Sequence, residues 1–168
     1  PFTPEVTVEH PNALLALHQE FLHAGAEVLQ VMTFYASENK LAQIGYAGKL
    51  GDINRAAVRI AREAAGGKAL VAGDLCLTWK YREGDPRAAD ECRQLFDGQI
   101  RFQTEVGVDF FIGETFLWVG EALLALERIK KAGFPAMITM AFEGPKTRDG
   151  KTPGEAARML EGAGADIE

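Results

Sequence analysis

Apolar residues are distributed along the chain in two alternating patterns. Short continuous runs occur at VLQVM (28–32), ALVA (69–72), VDFFI (108–112) and PAMITMAF (135–142), each bounded by glycine or polar residues. Between them lie longer stretches whose apolar positions recur every three or four residues. The runs have the length of strands buried on both faces, and the periodic stretches have the spacing of amphipathic helices. In order, Thr3-Pro4-Glu5 reads as a helix start that resumes at His10-Pro11, with Leu14, Leu17 and Phe21 on its apolar stripe and Gly25 at its end. The first strand then opens at Val28 and meets Thr33, Phe34, Tyr35, Ala36 and Ser37. Residues 38–51 are less regular, with room for a short helix. Asp52 is the expected cap of a helix through Ala65, and Gly66-Gly67 stops it.

After the strand at 69–72, a second excursion runs from Leu75 to Pro86. A long helix follows over 87–106, with Ala88, Cys92, Leu95, Phe96, Ile100 and Phe102 toward the core. The strand at 108–112 leads into Gly113-Glu114-Thr115-Phe116, and a helix over 120–131 ends in Arg128, Lys130 and Lys131, as the helix dipole favours. Thr152-Pro153-Gly154-Glu155 is a capping box with proline at the first helical position. It predicts a helix to Gly162, after which Ala165 begins a further strand. Strands alternating with helices imply an α/β fold with a parallel sheet. Two architectures fit this order. A five-stranded doubly wound sheet suits the length. Part of an eight-stranded β/α barrel, which takes about 250 residues, suits a chain that starts at Pro1 and stops as a strand is beginning.

Composition narrows the class of protein. The chain has 168 residues, 47% hydrophobic and 25% charged, which suits one soluble domain. Its formal net charge of -6 argues against general nucleic-acid binding. No apolar run approaches the ~20 residues of a membrane span, and the N-terminal stretch lacks the pattern of a signal peptide. Cys76 and Cys92 make no disulfide framework and are read as reduced thiols, so a cytoplasmic location is expected.

In either architecture the strand ends collect the chemistry. They present Thr33, Phe34 and Tyr35; Asp74; Glu114 and Thr115; and Met140 with Glu143. No glycine-rich phosphate loop follows a strand, and there is no G-x-S-x-G, so a dinucleotide site, a P-loop and a hydrolase nucleophile are set aside. His10, His18 and His23 lie on or beside the first helix, where solvated or capping roles are expected rather than metal binding. Glu114 ends an apolar strand, so its carboxylate calls for a cation: a lysine or arginine, or a ligand ammonium. Tyr35 offers an aromatic face that attracts methylated cations.

These residues also carry a family likeness. FTPEVTVEHPNALLALHQEFLHAGAEVLQVMTFYASENKL, ALVAG, VDFFIGETF with EALLALE, and GKTPGEAARMLEGAGADI resemble, in order and spacing, the homocysteine S-methyltransferase family. The T-F-Y-A-S-E run is its most specific part and resembles the betaine–homocysteine branch. The resemblance implies a (β/α)8 TIM barrel of which residues 1–168 hold about five strands. On that reading the chain is truncated at both ends, lacking the N-terminal strand and the zinc-ligand region. It implies methyl transfer from betaine, or a related methylated amine or sulfonium, to the homocysteine thiolate held on Zn2+, giving methionine.

Carried over residue by residue, Glu114 matches the glutamate that holds the homocysteine amino group, with Thr115 beside it where betaine enzymes have tyrosine. Tyr35 and Phe34 match the methyl-donor wall, and Phe2 falls where those enzymes place a tryptophan. Asp74 stands where a small residue is expected. The zinc cysteines are expected beyond Glu168, so this chain would hold no metal ligand or catalytic group and would be inactive alone. The expected partners are homocysteine and a betaine-like donor, with a homo-oligomer in the full-length protein and neither nucleic acid nor membrane. Two other readings stay open: the same enzyme with a different methyl donor, and a methylammonium-binding module without catalysis.

Overall fold

The computed structural model describes residues 4–167. The chain forms two compact units, one of residues 1–74 with 98–110, the other of residues 75–97 with 111–168. The described strands pair in parallel within each unit.

The first unit opens with α1 (Val6–Glu9) and α2 (Pro11–His23). The predicted start at Thr3 lies outside the described residues; the helix itself begins at Val6, after a turn. Proline at the first position of α2 suits a site whose N–H has no helical partner. The stripe on α2 differs from expectation. Leu14 and His18 are buried, whereas Leu17 and Phe21 are exposed. Helix α4 (Leu50–Ala65) explains this, because it packs on α2 and takes the 14/18 edge. On its own buried face α4 carries Ile53, Ala57, Ile60, Ala61 and Ala65, spaced as a helix requires. Its N-cap is Lys49 and not the expected Asp52, which lies within the first turn and pairs with Lys49 at 3.0 Å. Gly66 ends it in the left-handed conformation, φ 53°.

β1 (Val28–Gln30) pairs in parallel with β2 (Leu70–Cys76). β2 runs through Gly73, Asp74 and Leu75, beyond the strand expected at 69–72, and every residue from Val71 on is buried. Within the first unit, Asp109 is held against β2 and α4. Its backbone N–H donates to the Val71 carbonyl (2.8 Å), and its carboxylate accepts from the Val71 N–H (2.6 Å) and from Arg62 of α4 (2.9 Å). The irregular stretch after β1 contains α3 (Glu38–Gln43), whose Leu41 joins Ala36 and Ile53 in a small core under Ile44, Tyr46 and Leu50.

The second unit contains β3 (Phe110–Phe116) from Phe111 on, α6 (Val119–Lys131), β4 (Ala136–Met140) and α7 (Pro153–Gly162). β3 and β4 pair in parallel. β3 extends four residues past the expected end at Ile112, and β4 is shorter than the expected 135–142. The capping box of α7 forms as the sequence predicts: the Glu155 N–H donates to the Thr152 hydroxyl, and the Thr152 N–H donates to the Glu155 carboxylate at 2.8 Å. Ile167 pairs with Met137, as the strand expected from Ala165 requires. Helix α5 (Pro86–Val106) contributes residues 86–97 to this unit and 98–106 to the first. Ala88, Cys92, Phe96 and Ile100 are buried on it, but Leu95 and Phe102 are only half-buried; Gln99 and Gln103 take core positions instead. Among the described residues, no helix is long and apolar enough to cross a membrane.

Candidate functional site

In the first unit, β1 ends in a tight turn. The Ala36 N–H donates to the Thr33 carbonyl at 2.9 Å, so Phe34 and Tyr35 occupy the two corner positions. Their rings meet edge to face, with centroids 4.5 Å apart, an arrangement aromatic quadrupoles favour. Both are half-buried, which suits a wall with one side exposed better than a core. Lys40, on α3, is fully buried and lies over the Tyr35 ring. Phe2, the third expected donor residue, lies outside the described residues.

Beneath that turn is a set of buried polar side chains: Thr33, Asn54, Asp74, Gln99 and Gln103. The Thr33 hydroxyl donates to the Asp74 carbonyl (3.1 Å), and the Asp74 N–H donates to the Gln103 side-chain oxygen (2.9 Å). Asp74 is therefore a fully buried carboxylate at the end region of β2, in the place where a small residue was expected.

In the second unit, β3 carries a bulge. Gly113 pairs with Ile138 and Phe116 with Met140, so Glu114 and Thr115 together face the single residue Thr139. Burial follows this change of phase: Phe111 and Gly113 are buried, then Phe116, while Glu114 and Thr115 are both half-exposed. Thr115 has φ 64°, a left-handed backbone uncommon for a β-branched residue, and its N–H is held by the Thr139 hydroxyl at 3.1 Å. A Cβ at Gly113 would lie 2.8 Å from the Ile138 Cδ1 and 3.1 Å from the Phe116 ring, so a larger residue here would make those side chains shift. Phe116 in turn packs edge-on against Phe96, with ring centroids 6.1 Å apart. The bulge thus puts a carboxylate at the strand end on a backbone fixed by packing on one side and by Thr139 on the other. The Thr115 hydroxyl lies 3.5 Å from that carboxylate.

Glu143, another strand-end acid, is held by Arg148 through two contacts of 2.9 and 2.8 Å, and this pairing lowers its pKa. Asp149, in the same loop, accepts from the Val119 and Gly120 N–H groups at 3.1 and 3.0 Å and so caps α6. Glu121 on α6 is buried and accepts from the Thr78 N–H and hydroxyl, each at 2.6 Å. An apolar cleft of about 290 Å³ between β4 and α7, lined by Ile138, Met140, Phe142, Ala156 and Leu160 among others, takes in Met140 of the strand-end residues but not Glu114, Thr115, Phe34 or Tyr35.

The residues present do not fit a zinc centre. Cys76 and Cys92 are buried free thiols, and burial pushes the Cys92 pKa up to about 11, whereas zinc requires the thiolate. No three histidine, cysteine or acidic side chains converge as a metal site among the described residues. His18 is buried, not solvated as expected, and burial lowers its pKa.

The structure places the expected homocysteine pair, Glu114 and Thr115, together in the second unit and the donor pair, Phe34 and Tyr35, together in the first. The sequence pattern alone does not single out Lys40, Gln99, Gln103, Asn54, Glu121 or Asp149. For the two glutamines a signal existed: Cys92, Phe96, Gln99 and Gln103 share one helical face.

The betaine–homocysteine S-methyltransferase 1 of Sus scrofa is 42% identical over 172 residues, covering 99% of this chain and 61% of that protein. The S-methylmethionine–homocysteine S-methyltransferase of Mus musculus is 42% identical over 169 residues, covering 99% of this chain and 44% of that protein. The chain therefore spans less than two thirds of the length of these relatives. Among solved structures, the metallated homocysteine methyltransferase MmuM of Escherichia coli matches with a TM-score of 0.83 at 18% identity, over 95% of this chain and 62% of that one; that likeness concerns the fold, of the parallel β/α-barrel type. Residues 3–167 match the family model described as homocysteine S-methyltransferase, and the chain belongs to that family.

Proposed function

We propose that the protein containing this chain transfers a methyl group from a methylated onium donor to the sulfur of homocysteine. The observation that carries this reading is the bulge that presents Glu114. A half-exposed carboxylate on a fixed, strained strand end is suited to hold the α-ammonium of an amino-acid acceptor. Phe34 and Tyr35 form the donor wall on this reading, because aromatic faces attract quaternary ammonium and sulfonium groups. The transfer forms a sulfur–methyl bond. It breaks the methyl bond to the donor's onium centre, which leaves with the electron pair as a neutral amine or sulfide. The zinc expected from the family would be held by cysteines beyond residue 168 and would supply a stabilised thiolate. The cytoplasm is the proposed location, because two cysteines make no disulfide framework.

Betaine is the proposed donor, from the T-F-Y-A-S-E run at 33–38. A sulfonium donor is the second reading, because relatives named for betaine and for S-methylmethionine are equally identical to this chain, at 42%. The test is methionine formation by the full-length protein, with homocysteine and each donor in turn. Turnover with betaine supports the first reading, and turnover with S-methylmethionine alone supports the second. Binding of either donor without methionine formation would overturn both in favour of a non-catalytic binding module.

A further inference from the structure

The turn that presents Phe34 and Tyr35 is held at both ends by buried amide side chains. At its start, Gln99 donates to the Thr33 carbonyl at 3.3 Å and Gln103 donates to the Thr33 hydroxyl at 3.2 Å. At its end, Asn54 donates to the Ala36 carbonyl at 3.0 Å. Only the aromatic pair lies between these anchors. Gln103 joins the two ends, because its amide nitrogen also lies 2.9 Å from the Asn54 side-chain oxygen and 3.0 Å from the Asp74 carbonyl. Its side-chain oxygen accepts from the Asp74 N–H at 2.9 Å. One glutamine on α5 thus touches β2, α4 and the turn after β1. Gln103, Asn54 and Thr33 are completely inaccessible, and Gln99 nearly so.

The geometry points to Gln103 as a positioning residue for the Phe34–Tyr35 turn. Filling a core does not require an amide: a methionine of similar length would pack there without a polar group to satisfy. A buried network with its polar groups paired instead defines one arrangement and penalises every other, because each displaced partner is left unpaired in a medium without water. The arrangement defined here is that of a two-residue aromatic corner. The role of that corner as the methyl-donor wall rests on the proposed function; its being held by Gln103 does not.

The experiment uses the full-length protein and the variant Gln103→Met, with two readouts. The first is amide hydrogen exchange. The variant is expected to exchange residues 33–37 about tenfold faster, with α6 unchanged, as loss of about one buried hydrogen bond predicts. The second is steady-state kinetics with betaine. The donor KM is expected to rise about tenfold, while the homocysteine KM stays within about twofold. Exchange at 33–37 that is unchanged, or that speeds up equally in α6, would overturn the positioning role; so would a rise in homocysteine KM equal to that of the donor. If Gln103→Met fails to fold, Thr33→Val removes one anchor at nearly constant volume and is read by the same criteria. Absence of methyl transfer in the unsubstituted protein would overturn the donor reading, and the exchange result would then decide the positioning role by itself.

Discussion

The ammonium of Lys40 lies 4.6 Å from the centre of the Tyr35 ring, and the lysine is completely buried. Lysine is almost never buried to this extent without a partner, and an aromatic face meets part of that need. The relationship bears on the donor reading. Tyr35 already holds one cation, so its ring has the electrostatic character an onium ligand requires.

Replacing Tyr35 by alanine is therefore expected to raise the donor KM by about 5- to 30-fold, the equivalent of about 1–2 kcal/mol of cation–π attraction. The homocysteine KM should change by less than about twofold. Steady-state kinetics with each substrate varied in turn provides the check, and equal losses for both substrates would identify Tyr35 as a packing residue.

Glu114→Gln keeps the shape of the side chain and removes its charge. Homocysteine binding is expected to weaken by about 1.5–3 kcal/mol, the usual size of a hydrogen bond to a charged group, with donor binding unchanged. Titration calorimetry with homocysteine measures this directly; an unchanged affinity would remove Glu114 from the acceptor site.

Thr115→Gly tests whether the bulge is strained. At φ 64° a glycine has no Cβ penalty, so the variant is expected to be more stable to urea by about 1 kcal/mol. It also loses the hydroxyl 3.5 Å from the Glu114 carboxylate, and homocysteine affinity should fall in the same protein. A variant that is less stable would show that the left-handed threonine is not under strain.

The buried His18 predicts a dependence on mild acid. Burial holds its folded pKa below the ordinary 6.5. Below about pH 6.5 the unfolded chain binds a proton that the folded chain does not. Stability from this group is thus present above that pH and is lost as pH falls from there toward the folded pKa. Among the described residues the His18 Nε2 has no hydrogen-bond partner, so His18→Leu should raise stability at pH 6 and flatten the profile between about pH 7 and 5. Urea midpoints across that range test it, and an unaltered slope in the variant would assign the dependence elsewhere.

The alternation of strands and helices was legible because each element is bounded by local chemistry: Pro11, the Gly66 cap, the Thr152–Glu155 box. The candidate residues were legible where a strand ends, as at Tyr35 and Glu114. Their supports were not. Gln103 and Asn54 look like ordinary helix polar residues until the turn they hold is seen folded against them. The exposure of Leu17 and Phe21 was equally hidden, because which edge of α2 is covered depends on how α4 lies on it. The lengths of β2 and β3 were underestimated because Asp74 and Glu114 interrupt the apolar runs at positions where the strands still continue.

Measured against its neighbour, β3 is one residue too long. Phe111, Gly113 and Phe116 would keep a regular buried-face alternation if Thr115 were removed, and Glu114 alone would then pair across to Thr139. The sheet has no use for the surplus residue, and its backbone is strained by it. A chain shortened by that one position should therefore fold at least as well as this one. What it would give up is the local offset that sets a threonine hydroxyl beside the carboxylate, so the length of the strand is governed by its chemistry and not by its packing.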